Sequence, residues 1–198
     1  MFVAALLAAC GTPPYRFDQD NSGRWKARTL IKDLVKQKSH ILYAEILAQK
    51  PQNLRVDVTT SLGIHLARMT LNEEQLSYIL TREKKFFSGP ATPAALKPVM
   101  GMALDPKLLV SVLFETQPTE EGWDCKRDKD DLLQTCTSEK GVELSWTERS
   151  KERRTITVKS DKGHLQLELS GYQSNVQVPA ESFAIKAPPG FKSVAPIE

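Results

Sequence analysis

The chain has 198 residues, 40% of them hydrophobic, with 27 basic against 24 acidic side chains and a formal net charge of +3. That length supports one domain with a sizeable core. Charge so near balance gives no electrostatic case for nucleic acid as a partner, and no stretch beyond the first residues is long and apolar enough for a membrane-spanning helix.

Residues 1–9 are uncharged and almost wholly apolar, running through Phe2, Leu6 and Leu7 to Ala9. At about 1.5 Å per residue they are too short to cross a bilayer as a helix. They do suit the apolar core of an export signal, which needs only about 7–15 residues. The run ends in Leu7-Ala8-Ala9-Cys10-Gly11, which has the form of a bacterial lipobox. Small residues there admit the peptidase, and the Cys10 thiol receives the lipid. No Lys or Arg precedes the run, so the true start is expected upstream of Met1 or the sequence is trimmed. Thr12, not Asp, stands two residues after Cys10. The default expectation is therefore a lipid-anchored protein on the periplasmic face of the outer membrane.

Residues 10–23 include Pro13, Pro14, Asp18, Asp20 and Asn21 and read as a lipidated tether, leaving 24–198 as a single domain. Over residues 24–36, Ala27, Leu30, Ile31, Leu34 and Val35 recur at helical spacing among basic residues, which predicts an amphipathic helix. Strands follow. Residues 41–48 are apolar on both faces, as for a strand covered on one side and lining a cavity on the other. Leu54, Val56 and Val58 alternate with polar residues, and after the break at Ser61-Leu62-Gly63 so do His65, Ala67, Met69 and Leu71, then Leu76, Tyr78 and Leu80. Phe86-Phe87-Ser88-Gly89 closes this meander.

Thr92-Pro93 and Asp105-Pro106 are start signals for two short helices carrying Leu96, Val99 and Met100, then Leu108, Leu109, Val112 and Leu113. Strands resume at Trp123, at Val142-Leu144-Trp146, at Ile156 and Val158, and at Leu165-Leu167-Leu169; Phe183 and Ile185 are expected to form the last one. The pattern predicts an α+β fold: a strongly curved, incomplete antiparallel β-barrel with short helices on its concave side.

With Cys10 acylated, Cys125 and Cys136 remain as a pair. They flank the polar run 126–131, which reads as a hairpin cross-linked by a disulfide in an oxidising compartment. Two cysteines without a second pair or a nearby His do not make a zinc motif. Catalytic patterns are also lacking. His40, His65 and His164 fall in separate elements, and there is no HExxH, GxSxG or glycine-rich phosphate loop. The acidic cluster Asp124, Asp128, Asp130 and Asp131 is interleaved with Lys126, Arg127 and Lys129 and lacks the glycine of a calcium loop. Neither an enzyme nor a metal or cofactor requirement is expected.

The segment from Pro51-Gln52-Asn53 through Thr60-Ser61-Leu62-Gly63-Ile64 to Leu71 resembles the LolB family of outer-membrane lipoprotein receptors. The resemblance continues through Phe87-Ser88-Gly89, through residues 100–106 (Met-Gly-Met-Ala-Leu-Asp-Pro) and at Gly122-Trp123, while the tail from Phe183 to Gly190 is similar to the related carrier LolA. Ser61 stands where that family has proline. The resemblance implies an apolar cavity for acyl chains, for which Ile46, Val56, Val58, Met69, Tyr78, Leu96, Met100, Met102, Leu109 and Leu167 are the candidate lining. It implies that the turn Ser61-Leu62-Gly63 is a membrane-insertion loop with Leu62 at its tip. It further implies a monomer that accepts lipoproteins from a LolA-like carrier and inserts them into the outer membrane. The alternative is a module of the same fold that binds another lipid or scaffolds an envelope complex.

Overall fold

The computed structural model describes residues 14–100 and 102–195. Six strands come first: β1 (Ser22–Asp33), β2 (Lys38–Gln49), β3 (Asn53–Thr59), β4 (His65–Asn72), β5 (Gln75–Leu80) and β6 (Lys85–Pro90). Helices α1 (Pro93–Met100) and α2 (Leu108–Leu113) follow. The chain then returns to strands: β7 (Trp123–Arg127), β8 (Leu133–Ser138), β9 (Glu143–Thr147), β10 (Arg153–Lys159), β11 (Gly163–Ser174) and a short β12 (Lys192–Ser193). All belong to one sheet in the order β12-β6-β5-β4-β3-β2-β1-β11-β10-β9-β8-β7, antiparallel except where β12 runs beside β6. β7 and β12 are its free edges, so the sheet is open. With so little helix, the fold is mainly β rather than the expected α+β.

The expected helix over 24–36 is instead β1, paired along its length with β2 and β11. Two periods compete in this stretch. Ala27, Leu30, Ile31, Leu34 and Val35 fit a helix, but Trp25, Ala27, Thr29 and Ile31 fit a strand. Burial alternates residue by residue from Arg24 to Thr29, with Arg24, Lys26 and Arg28 exposed between buried neighbours. Partners on both sides, interrupted on the β11 side by an irregularity at Trp25, give most backbone groups ladder bonds, and that tertiary term overrides a weak helical pattern. Leu34 and Val35 fall in the β1–β2 turn and are exposed.

The described part of the expected tether is packed. Phe17 is buried, and the Asp20 carboxylate accepts hydrogen bonds from Tyr15 Oη (2.8 Å), Tyr172 Oη (2.6 Å) and Asn175 Nδ2 (3.1 Å). These contacts fasten residues 15–20 to the end of β11. The last expected strand is also corrected. Ala180–Phe183 is a single 3₁₀ turn across β3 and β4, and the final strand is Lys192–Ser193. Thr70 and Ser77 alternate with core residues and so face away from the helices, yet both are buried. The 3₁₀ turn carrying Phe183 lies against β3 and β4, and Ser77 Oγ pairs with Ser88 Oγ at 2.9 Å.

Candidate functional site

Because neighbouring strands are antiparallel, the β1–β2, β3–β4, β5–β6, β8–β9 and β10–β11 turns gather at one end of the sheet, the rim. Between the sheet and the helices, the half away from the rim is filled. Trp25 meets Phe114 edge-on at 5.4 Å and stacks on Tyr172 at 4.9 Å, while Ala48, Leu71, Leu76 and Leu169 close the remaining space. The half nearer the rim is hollow. Residues from β1 through β5, from β11 and from both helices enclose a cavity of about 380 Å³. That volume lies within the ligand-sized range of roughly 300–1,000 Å³.

Seven of the candidate residues line this cavity: Ile46, Val56, Val58, Met69, Met100, Leu109 and Leu167. Three do not. Tyr78 is stacked on Phe87 at 4.9 Å, Leu96 is fully buried beneath α1, and Met102 packs against the backbone at Gly163, where a Cβ would come within 3.1 Å of its Cε. Each is buried against a neighbouring side chain or backbone rather than bordering the cavity. The candidate set also lacks Thr29, Ile31, Leu42, Ala44, Leu80 and Leu165, which the structure places on the wall. The signal for the β1 pair was the alternation of Trp25, Ala27, Thr29 and Ile31. On β2, Leu42, Ala44 and Ile46 face inward, whereas Ile41 and Tyr43 on the other face are exposed rather than covered. Arg68, Arg82 and Glu83 are the charged members of the lining, the latter two from the β5–β6 turn at the rim. Deeper in, the buried hydroxyl of Thr29 makes no hydrogen bond within the protein, a lone polar group on an apolar wall.

Two devices hold the helices over the cavity. At the start of α1, the Ala95 N–H donates to Thr92 Oγ1 at 3.3 Å, and Pro93 occupies the first helical position. The end of α2 is fixed more heavily. Thr116 N donates to Ser111 O at 3.0 Å and Glu115 N to Val112 O at 3.4 Å, the pattern of a Schellman stop. Glu115 fills the left-handed position, φ 52°, that glycine usually takes. Its carboxylate pairs with Arg154 at 2.9 Å and Arg149 at 3.5 Å, and Arg154 also donates to Leu113 O. Burial pushes the Glu115 carboxyl up against the pull of both arginines. The same burial brings Arg154 down to about 10, against the pull of Glu115, so the guanidinium remains charged at neutral pH. Trp146 Nε1 adds a bond to Val112 O at 2.9 Å. The result is a fixed α2 that presents Leu109 and Leu113 to the cavity.

The turn after β3 is closed by its own backbone. Gly63 N donates to Thr60 O at 3.0 Å and Thr60 N to Ile64 O at 2.9 Å, while Leu62 N and Ile64 N reach Thr60 Oγ1 at 3.3 and 3.2 Å. Gly63 has φ +77°, which only glycine adopts without strain. Leu62 is left 84% exposed, beside an exposed Ile64 and Ser61. Cys125 and Cys136 face each other across β7 and β8, joined by a disulfide with Cα atoms 4.1 Å apart. Cys10 lies outside the described residues. Among the described residues no cluster of His, Cys, Asp and Glu is placed to hold a metal.

No protein-family model matches the sequence, and no curated protein matches it. Solved structures do. A LolA superfamily protein from Nitrosomonas europaea superposes with a TM-score of 0.50 at 8% identity, over 84% of this chain and 91% of that one. A DUF1329 family protein from Desulfovibrio piger gives 0.53 at 10% identity, over 85% and 91%. A domain assigned as an outer membrane lipoprotein-sorting protein from Vibrio parahaemolyticus gives 0.52 at 10% identity, over 82% and 89%. At these identities the likeness is one of fold. What this chain shares with those structures is the open, mainly antiparallel sheet, here with an apolar cavity between it and two short helices.

Proposed function

We propose that the protein is a lipid-anchored outer-membrane receptor that takes lipoprotein acyl chains from a LolA-like periplasmic carrier and delivers them to the membrane. The observation that carries this reading is the hollow half of the core. A sequence able to fill one end with Trp25, Phe114 and Tyr172 leaves the other end as a 380 Å³ apolar space. Apolar wall left unpacked forfeits contacts that a ligand's hydrocarbon can supply. Each acyl methylene removed from water there contributes about 0.8 kcal/mol, so affinity follows chain length rather than any covalent chemistry, and no cofactor is called for. Met69 and Met100 give the wall a side chain that adapts to different chains. Cys10 would carry the anchor, and the Leu62 tip would enter the bilayer interface during delivery.

A transfer assay with separate readouts for cargo captured and cargo delivered to membranes tests this. Val56→Trp, which places an indole in the cavity, should lower capture at least tenfold while the melting transition is kept. Leu62→Glu should fold and capture normally and fail in delivery, because the side chain has no packing role to lose. Normal capture by Val56→Trp would remove the cavity from the mechanism. Normal delivery by Leu62→Glu would leave a lipid-binding module without an insertion loop.

A further inference from the structure

We propose that the rim docks on an anionic phospholipid surface through two apolar tips, the β1–β2 turn acting beside the β3–β4 turn. This deepens the proposed delivery of acyl chains and rests on it for its purpose, though not for its geometry. Among the described residues, the large hydrophobic side chains left exposed are Leu34, Val35, Ile41, Tyr43, Leu62 and Ile64. All six lie at the rim or on the outward face of β2 next to it. Chance scatter over a surface does not concentrate apolar groups at one end.

The β1–β2 turn is built to present them. Val35 N and Lys36 N donate to Asp33 Oδ1 at 3.0 and 2.8 Å, Gln37 Nε2 donates to Leu34 O at 2.7 Å, and Leu34 N is held by Lys162 O at 3.0 Å. The backbone is thus satisfied locally, and Val35 stands 71% exposed with nothing to pack on. The two tips are two strand spacings apart, about 10 Å. Charge around them has one dominant sign. Lys36, Lys38, Arg82, Lys84, Lys85, Lys140 and Lys162 are exposed in or beside the turns of that end, against Asp33, Glu83, Glu139 and Asp161. At the opposite end the exposed turn residues Glu73, Glu74, Asp130, Asp131, Glu148 and Glu152 outnumber Lys129 and Lys151. A basic collar around apolar tips complements a surface with anionic headgroups outside and hydrocarbon beneath. Arg82 and Glu83 line the cavity from the β5–β6 turn, so the cavity reaches that same surface.

The test uses the full chain carrying Cys10→Ala, so that no acyl anchor contributes. Sedimentation with phosphatidylglycerol–phosphatidylcholine vesicles is compared with phosphatidylcholine vesicles alone, and each variant is checked by its melting transition. Binding should require the anionic lipid and weaken with salt. Leu34→Ser/Val35→Ser and Lys36→Glu/Lys38→Glu should each weaken it at least tenfold. Variants that bind like the parent, or a parent that binds both vesicle types equally, would overturn the proposal. So would self-association without vesicles that the tip substitutions abolish, since the occupant would then be a second copy. A fluorescent fatty acid, titrated in the same samples, separates the two readings. Retained fatty-acid binding with unaltered vesicle binding sinks the docking surface alone, whereas no fatty-acid binding by the parent sinks the cavity.

Discussion

The guanidinium of Arg154 lies 3.7 Å above the Phe17 ring and 2.9 Å from Glu115, with its side chain 1% exposed. Three parts of the chain meet on this one group: the packed N-terminal segment, the stop of α2, and β10. Arg154→Met removes the nearer of the two arginine partners of a buried carboxylate and the Arg154 bond to Leu113 O. Breaking a buried pair in this way costs about 3–5 kcal/mol, and urea unfolding of Arg154→Met should show a loss of that order. Arg154→Met/Glu115→Gln should recover part of it, because the stranded charge is gone. Little of this was legible in the sequence. Lys151-Glu152-Arg153-Arg154 reads as a charged, solvated edge, and only the fold shows that the last of these turns inward between two aromatic rings. Leu62 is the opposite case, since a leucine beside a glycine between two alternating segments announces both its turn and its exposure.

Among the elements, the β7–β8 hairpin and β1 show what spacing does and does not determine. Cys125 and Cys136 occupy directly opposed positions, and the polar run between them forms the turn the sequence suggests, with Asp128 Oδ1 accepting from Asp130 N at 2.9 Å and Leu132 N at 3.1 Å. Among the described residues β7 has no neighbour on its outer side, so the cross-link ties it to β8 besides ladder bonds. Closing a loop of this length is worth about 2–3 kcal/mol in the chain-entropy model. Cys125→Ser/Cys136→Ser should lose stability of that order, and protein taken from the cell envelope should show no free thiol at either position. β1 went unread for a physical reason. Its outward face carries Leu30, and its turn carries Leu34 and Val35, apolar groups where a soluble strand would be polar. Those residues completed a helical period that the inward-facing set, Trp25, Ala27, Thr29 and Ile31, contradicts. Solvent-facing apolar side chains corrupt the very pattern from which a strand is recognised.

For the molecule as a whole, the open sheet with two short helices between its strand groups was readable from alternation and from two proline-marked helix starts. The cavity was readable only in part. Tyr78, Leu96 and Met102 share their facing with true wall residues, and nothing local distinguishes a side chain that fills space from one that borders it. That distinction depends on what the fold packs against each side chain, and along the strands it separates a filled half from the half nearer the rim. The same division sets how tightly different stretches of one strand are held. In β1, β2 and β11, one half rests on the Trp25–Phe114–Tyr172 stack and the Arg154 ion network, and the other half on a void. Local opening is governed by how many buried contacts must be surrendered. Amide hydrogen exchange should therefore grade along each strand. Slow exchange is expected near Trp25, Ala48 and Leu169, and faster exchange near Ile31, Leu42 and Leu165. A bound fatty acid should slow only the fast set, so the strands would report occupancy as a change in protection gradient, without any strand changing its pairing.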